Sequence, residues 1–232
     1  MPLPLAEWEA PRYEVKMQCA ATAFETVRFL LRSHAMALYT PFPSRLIQSI
    51  YFDTQDGRAA HENISGQATR DKLRFRWYGS GTDTVDGALE LKQRDNALVS
   101  KARTPLKSIQ VSGETRRSLM SALHKQSPPR WQSLLEEGQE PAQWIQYERH
   151  YLAARHCPVR VTLDRALRAW DLRDTFILRR AAPTPLPDCI VVECKAPPEN
   201  FDDIQSIVKS LPVPRTRCSK YLMACMPGHY AI

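Results

Sequence analysis

Short stretches in which hydrophobic and polar residues alternate recur along the chain, and this period of two predicts β-strands. Within 191–195, for example, Glu193 and Lys195 share one face of the predicted strand, while Val192 and Cys194 share the other. The same alternation predicts strands over 12–19, 47–52, 72–78, 88–93, 98–103, 145–153 and 159–168, a continuation of the sheet over 176–180, and a last strand after Ser219.

Hydrophobic residues at helical spacing separate some of these strands. A capping box at Thr22 and Glu25 predicts the start of the first helix. Further helices are predicted over 114–126, 131–137 and 202–211. Three prolines in residues 1–11 indicate an irregular N-terminal arm, and the whole chain, 1–232, is interpreted as one domain.

The polar faces of the predicted strands carry mostly lysine and arginine. For one strand a solvated outer face is the ordinary explanation. Repetition of like charge on many strands favours another arrangement, because concentrated cations repel one another unless an anion binds among them. We therefore expect an α+β fold in which an antiparallel barrel encloses the charged faces, and helices cover the apolar faces outside.

The composition of the chain restricts the class of ligand without identifying the ligand itself. The 232 residues carry a net charge of +7, which favours an anionic ligand. The six cysteines show no CxxC pair, and the simplest interpretation is reduced thiols in a cytoplasmic protein. The N-terminus has no signal-peptide pattern, and no hydrophobic run approaches the ~20 residues that span a bilayer. We therefore expect no membrane segment in the chain.

Eight short motifs, taken in order, resemble the VTC domain, the polyphosphate polymerase core of the vacuolar transporter chaperone family within the triphosphate tunnel metalloenzymes. Each motif is weak by itself, and the specific signal is their order between residues 12 and 222. The motifs are RYEVK at 12–16, SIYFDT at 49–54, LRFRWYG at 73–79, LELK at 89–92, SKAR at 100–103, VRVTLD at 159–164, VECK at 192–195 and SKY at 219–221.

The resemblance implies a closed eight-stranded barrel in which ATP gives its γ-phosphoryl group to a growing polyphosphate chain and ADP is released. It implies Mn²⁺ or Mg²⁺ as the cofactor, with Glu193 as the metal ligand. The residues that it implies for catalysis are Lys16, Arg74, Arg76, Lys92, Arg149 and Arg160. Those that it implies for phosphate binding are the same six with Lys101, Tyr147, Lys195, Arg217, Ser219 and Lys220.

Three carboxylates have two interpretations each. Glu14 and Glu90 are candidates for secondary metal ligands or for ion pairs with the neighbouring Lys16 or Lys92. Asp164 is a candidate for a metal ligand or for a partner of Arg165 or Arg149. The hydrolytic tunnel enzymes have a second acid two residues before the position of Glu14, where this chain has Arg12. This departure favours the polymerase branch. Arg217 stands where a lysine is usual, which keeps the charge and changes the geometry.

Three functions remain open at this point. They are a polyphosphate polymerase, a metal-dependent triphosphatase or polyphosphatase, and a noncatalytic polyphosphate-binding subunit. Expected partners are ATP and polyphosphate or triphosphate, with a separate membrane subunit as a further candidate. We expect no nucleic-acid partner, because the basic residues are predicted to lie inside the barrel. Tyr51, Trp77 and Tyr78 are interpreted as core or tunnel-mouth residues rather than as platforms for base stacking.

Overall fold

Eight antiparallel strands close into a barrel in the computed structural model, which describes residues 8–230. Around the barrel the strands follow the order β1-β5-β4-β3-β2-β6-β7-β8. Their bounds are β1 Trp8–Ala20, β2 Arg45–Asp53, β3 Thr69–Tyr78, β4 Thr84–Asp95, β5 Leu98–Gln110, β6 Glu140–Ala153, β7 Arg160–Asp171 and β8 Cys189–Ala196.

Six α-helices accompany the barrel within the described residues. They are α1 Phe24–Arg32, α2 Arg58–Ile64, α3 Arg116–Gln126, α4 Pro129–Glu136, α5 Phe201–Ser210 and α6 Lys220–Cys225, with short 3-10 helices at Ala21–Ala23, Pro198–Asn200 and Pro227–Tyr230. In the part of the chain described, no helix is both long and apolar enough to cross a membrane.

Outward-facing apolar side chains form two cores between the barrel and its helices. On one side Phe75 and Trp77 of β3 pack in a cluster with Leu119 of α3 and Trp131 of α4. Alternation along β3 therefore puts Phe75 and Trp77 outside and Arg74 and Arg76 inside. This arrangement confirms the expected barrel with helices on its apolar outer face.

The second core covers the other side of the barrel. Val192 and Cys194 of β8 pack with Val27 of α1 and with Ile204 and Ile207 of α5. Glu193 lies between these two outward residues, and its side chain is directed into the barrel. Burial of the two outer cores thus fixes which face of each strand encloses the charges.

The two ends of the barrel differ. At the end where β2 finishes at Asp53, helix α6 packs against inward-facing residues, and Tyr221 stacks on Tyr51 with a centroid distance of 5.3 Å. We call this end the α6 end. At the opposite end, called the mouth, β2 begins at the exposed Arg45 and β3 finishes at the exposed Tyr78.

Several predicted elements are corrected by the structure. The segment after Ser219 is helix α6 and not a strand, because its apolar residues face inward-pointing barrel residues on one helical side. The segment 176–180 makes only an isolated bridge, from Ile177 to Thr115. Helix α2, in the segment after β2, was not predicted.

The N-terminal predictions also change. Part of the predicted arm, residues 8–11, belongs to β1, and residues 1–7 lie outside the described residues. Thr22 does not cap the first helix: it lies in the 3-10 helix Ala21–Ala23, and α1 starts after Ala23 without a side-chain cap.

Gly87 supplies a test of barrel packing. A Cβ atom at this position of β4 would lie 2.5 Å from the Arg76 carbonyl oxygen and 2.7 Å from Phe75 Cζ. Because Phe75 is fully buried and cannot move aside, Gly87→Ala should lower the free energy of unfolding by about 2 kcal/mol, measured by urea denaturation. Gly81→Ala is the control, since a Cβ there meets no atom within 4 Å. Equal stability of the two variants would contradict this packing.

A cationic tunnel as the candidate active site

Three lysines on adjacent strands lie side by side inside the barrel. Lys72 of β3 is in register with Lys92 of β4, and Lys92 is in register with Lys101 of β5. Like charges in directly opposite positions of a sheet repel each other. Three lysines in such a row therefore repel one another when they are charged. A polyanion bound along the barrel axis would offset this repulsion.

Inward-facing cations outnumber inward-facing carboxylates in the described part of the chain. The cations of the tunnel are Arg12, Lys16, Lys72, Arg74, Arg76, Lys92, Lys101, Arg149, Lys195 and Lys220, and the carboxylates that contact them are Glu9, Glu14, Glu90, Asp164 and Glu193. The excess charge is positive, as expected for a site that binds a phosphate chain.

Glu193 is surrounded by cations on three strands. Its carboxylate lies 2.7 Å from Lys195 Nζ, 3.5 Å from Lys16 Nζ and 3.9 Å from Arg149 Nη2. Burial opposes its ionisation, but Lys195, Lys16 and the cations beyond them outweigh burial and hold the pKa of Glu193 well below its usual range. Glu193 is therefore ionised at neutral pH.

Glu14 lies on β1, next to β8, and its contacts bear on whether it is a metal ligand or an ion-pair partner. Its Oε2 lies 2.5 Å from Lys92 Nζ, so it is an ion-pair partner of that lysine. Its Oε1 is buried and accepts no hydrogen bond, with Arg12 Nε at 3.5 Å and Lys195 Nζ at 3.8 Å. One oxygen of this carboxylate thus retains unused hydrogen-bonding capacity inside the tunnel.

Glu90 holds the two arginines of β3 in place. Its Oε2 accepts hydrogen bonds from Arg74 Nε at 2.9 Å and Nη2 at 2.6 Å, and lies 3.4 Å from Arg76 Nη1. Arg74 also donates to the Tyr51 hydroxyl at 2.8 Å, and Arg76 donates to the Tyr147 hydroxyl at 3.1 Å. Glu90 is thus an ion-pair residue, but its partners are these arginines together with Lys101, and not the expected Lys16 or Lys92.

Asp164 forms the most deeply buried ion pair of the tunnel. Arg149 donates to both of its oxygens, at 2.6 and 2.7 Å, and Lys220 Nζ lies 2.6 Å from Oδ2. Although burial raises the pKa of Asp164, Arg149 and Lys220 lower it to about 2. Asp164 is therefore a structural anion that attaches the start of α6 to the barrel, in agreement with the arginine-partner interpretation.

A divalent metal fits beside Glu193 if phosphate oxygens complete its coordination. The described residues contain no cluster of three or more His, Cys, Asp and Glu side chains that could hold a metal by themselves. Thr162 is in register with Glu193 on the neighbouring strand, and its buried hydroxyl has no hydrogen-bond partner. Mg²⁺ typically uses one or two carboxylates together with substrate phosphates and water, and this donor set suits that pattern.

Most of the site residues that the family resemblance implies lie in the tunnel. Two of them, Arg160 and Arg217, lie elsewhere. Arg160 is exposed at the mouth, in register with Lys195. Arg217 is exposed at the α6 end, where its guanidinium would lie 3.4 Å from a Cβ at Gly66. The structure therefore places Arg217 on the surface, outside the network of tunnel contacts. Ser219 caps α6 and accepts a hydrogen bond from Lys72 at 2.9 Å.

Sequence reasoning missed Lys72 and Thr162. Lys72 lies two residues before Arg74 and therefore shares its strand face, a signal that was present in the alternation. Its only described partner is the neutral hydroxyl of Ser219. Thr162 lies two residues before Asp164, but a hydroxyl carries no charge pattern, and its position beside Glu193 depends on strand register.

Comparison with known proteins identifies the family. A family model described as the VTC domain matches residues 11–227, which is nearly the whole chain. The chain belongs to the VTC domain family. No curated protein is detectably similar to it in sequence.

Solved structures with the same fold have low sequence identity to this VTC-domain chain. A putative adenylate cyclase from Bacillus halodurans has a TM-score of 0.55 at 14% identity, covering 92% of this chain and 95% of that one. A putative adenylyl cyclase from Hippeastrum, described as having a dominant triphosphatase activity, has a TM-score of 0.55 at 14% identity, with 94% and 96% covered. These similarities confirm the triphosphate tunnel fold.

Two tunnel lysines are poised to take up protons when an anion binds. Burial lowers the pKa of Lys92, and although Glu14 raises it, Lys16 lowers it further, to about 7. Burial, followed by Lys16 and Lys92, holds the pKa of Lys72 well below its usual range. At pH 8 Lys92 is thus largely neutral in the free protein, and a bound polyanion would raise the pKa values of both lysines.

Tripolyphosphate binding at pH 8 should therefore take up about one proton or more, and affinity should fall as pH rises from 7 to 9. Calorimetry in buffers of different ionisation enthalpy measures the uptake. Lys72→Met should reduce it, whereas Lys125→Met, at an exposed position of α3, should leave it unchanged. Proton release, or no exchange, would contradict the depressed pKa values.

Proposed function

We propose that this VTC-domain protein is a metal-dependent polyphosphate polymerase, which transfers the ATP γ-phosphoryl group to a growing polyphosphate chain and releases ADP. The observation that carries the proposal is the excess of lysine and arginine side chains inside the barrel, among them Lys72, Lys92 and Lys101 in register on adjacent strands. A linear polyanion would supply the opposite charge. Membership of the VTC domain family supports the choice of polymerisation among the reactions that such a tunnel could perform.

The reaction needs alignment and charge neutralisation more than a protein nucleophile. A terminal oxygen of the polyphosphate chain forms a bond to the γ-phosphorus, and the bond between that phosphorus and the bridging oxygen of ADP breaks. Arg74 and Arg76, held by Glu90, are prearranged to stabilise charge on the transferring group. Lys16 and Arg149 would act from the opposite wall, beside Glu193.

Glu193, with Thr162 beside it, would hold Mn²⁺ or Mg²⁺ against the phosphate oxygens. Such an ion supplies charge neutralisation and fixes the orientation of the phosphates. Lys195 at 2.7 Å and Lys16 at 3.5 Å from Glu193 are the lysines of this chain that would bind phosphate oxygens beside that carboxylate. The remaining proposed phosphate ligands are Lys92, Lys101, Tyr147, Lys220 and Ser219, with Arg160 acting at the mouth.

Hydrolysis of triphosphate or polyphosphate is the second candidate. One observation that favours it is helix α6, whose residues Tyr221 and Met223 pack against inward-facing residues at one end of the barrel. A long polyphosphate product would then have to leave the tunnel through the mouth. Orthophosphate is small, so its release is less restricted. The triphosphatase activity described for the Hippeastrum protein, which has the same fold, adds support.

The cellular setting is part of the proposal. All six cysteines are free, which matches the reducing environment of the cytoplasm. A separate membrane subunit that receives the product is proposed on the family resemblance alone. Nucleic acid is not a proposed partner, because the tunnel encloses the cations that the proposed function uses.

One assay distinguishes the three functions. The purified protein is incubated with ATP and Mn²⁺ or Mg²⁺, and products are resolved by gel and by phosphate release. We expect a ladder of polyphosphate together with ADP, and loss of both when EDTA removes the metal. Orthophosphate without chain growth would overturn polymerisation in favour of hydrolysis, and tight polyphosphate binding without turnover would assign a noncatalytic role.

Glu193→Gln tests the metal assignment. The amide keeps the shape of the side chain and removes the charge, so turnover should fall by on the order of 10²-fold or more while the far-UV circular dichroism spectrum is retained. Glu199→Gln, at an exposed position outside the barrel, is the control and should leave turnover unchanged. Normal turnover in Glu193→Gln would show that the ion is held elsewhere.

A further inference from the structure

A cluster of aromatic rings surrounds one guanidinium at the mouth of the tunnel. The guanidinium carbon of Arg45 lies 5.2 Å from the ring centroid of Phe42, 5.6 Å from that of Tyr78 and 5.8 Å from that of Tyr151. Phe42 and Tyr151 meet edge to face at 5.8 Å. We call these four residues the aromatic rim.

The aromatic rim is open to solvent, unlike the other tunnel aromatics. Phe42 is 51% exposed and Tyr78 is 54% exposed, whereas Tyr51 and Tyr147 inside the tunnel are buried. Arg45 is also exposed, and none of the ion pairs described in residues 8–230 involves it. Rings and a guanidinium without a carboxylate partner are groups that bind the face of a planar, electron-rich ligand.

Strand register makes the aromatic rim continuous with the phosphate-binding cations. Arg45 is in register with Arg149, and Tyr78 follows Arg76 by two residues on the inward face of β3. Tyr151 follows Arg149 by two residues on β6 and therefore lies on the same face of that strand. A ligand whose phosphates lie between Arg76 and Arg149 therefore ends beside these rings.

We propose that the aromatic rim is the stacking site for the base of a nucleoside triphosphate whose phosphates lie in the tunnel. Tyr78 is a tunnel-mouth residue, as the sequence indicated, but its 54% exposure and its place beside Arg45 give it a stacking role that the sequence did not favour. The inference rests on the proposed function and adds to it a second subsite, outside the tunnel. Stacking uses the π-face that every base has, so the aromatic rim distinguishes a nucleotide from a bare phosphate chain without selecting one base. A growing polyphosphate chain has no ring and would not use this subsite.

Binding of two ligands that differ only in the presence of a nucleoside tests the inference. Calorimetry with EDTA present, which prevents metal-dependent turnover, gives the Kd of ATP and of tripolyphosphate. Tyr78→Ala should weaken ATP by about 10-fold, the usual effect of removing one stacking ring, and change tripolyphosphate by less than about 2-fold. Tyr78→Phe keeps the ring and should bind ATP like the wild type.

Phe176→Ala removes a ring that is 79% exposed away from the rim, and it should change neither ligand. Equal weakening of ATP and tripolyphosphate in Tyr78→Ala would mean that the tunnel itself is disturbed, which overturns the inference and leaves the proposed function intact. Unchanged binding of both ATP and tripolyphosphate in Tyr78→Ala would also overturn the inference. If the wild type binds neither ligand with EDTA and neither of them when Mg²⁺ is present, the proposed function fails, and the aromatic rim has no nucleotide to bind.

Discussion

Repulsion among cations enclosed in the barrel is the constraint on which the rest of this structure depends. Lys72, Lys92 and Lys101 stand in register, and the five carboxylates that contact the ten tunnel cations offset only part of their charge. The barrel accommodates this repulsion because packing on the outer faces of the strands holds them in place. The two apolar cores under α3 and α4, and under α1 and α5, contribute the burial that holds the inward faces in place.

The carboxylates divide into two classes by what they stabilise. Glu90 and Asp164 each accept several short hydrogen bonds from arginines. A buried carboxylate bound in this way stays paired with those arginines. Glu14 and Glu193 contact mainly lysines, whose single ammonium groups can turn toward another anion. Rigid arginines and adaptable lysines therefore line the same tunnel, which suits a site where phosphate must be held and then moved.

The two ends of the tunnel have different chemistry. At the α6 end, Tyr221 stacks on Tyr51 and Lys220 pairs with Asp164, so the helix is anchored by both apolar and ionic contacts. At the mouth, exposed rings surround Arg45. A ligand with a charged tail and a planar aromatic group would be oriented by this asymmetry, because the aromatic rim lies at the mouth.

The sequence by itself determined the strands, the inward charged faces and the family, because a period of two puts Glu193 and Lys195 on the face opposite Val192 and Cys194 whatever the tertiary structure. Alternation cannot report strand register, which depends on packing between distant segments. Only the tertiary structure therefore decided that Lys72 stands beside Lys92, that Thr162 stands beside Glu193, and that Arg217 lies on the surface. For the same reason the segment after Ser219 became a helix: the barrel interior it packs against is built from strands far away in the chain.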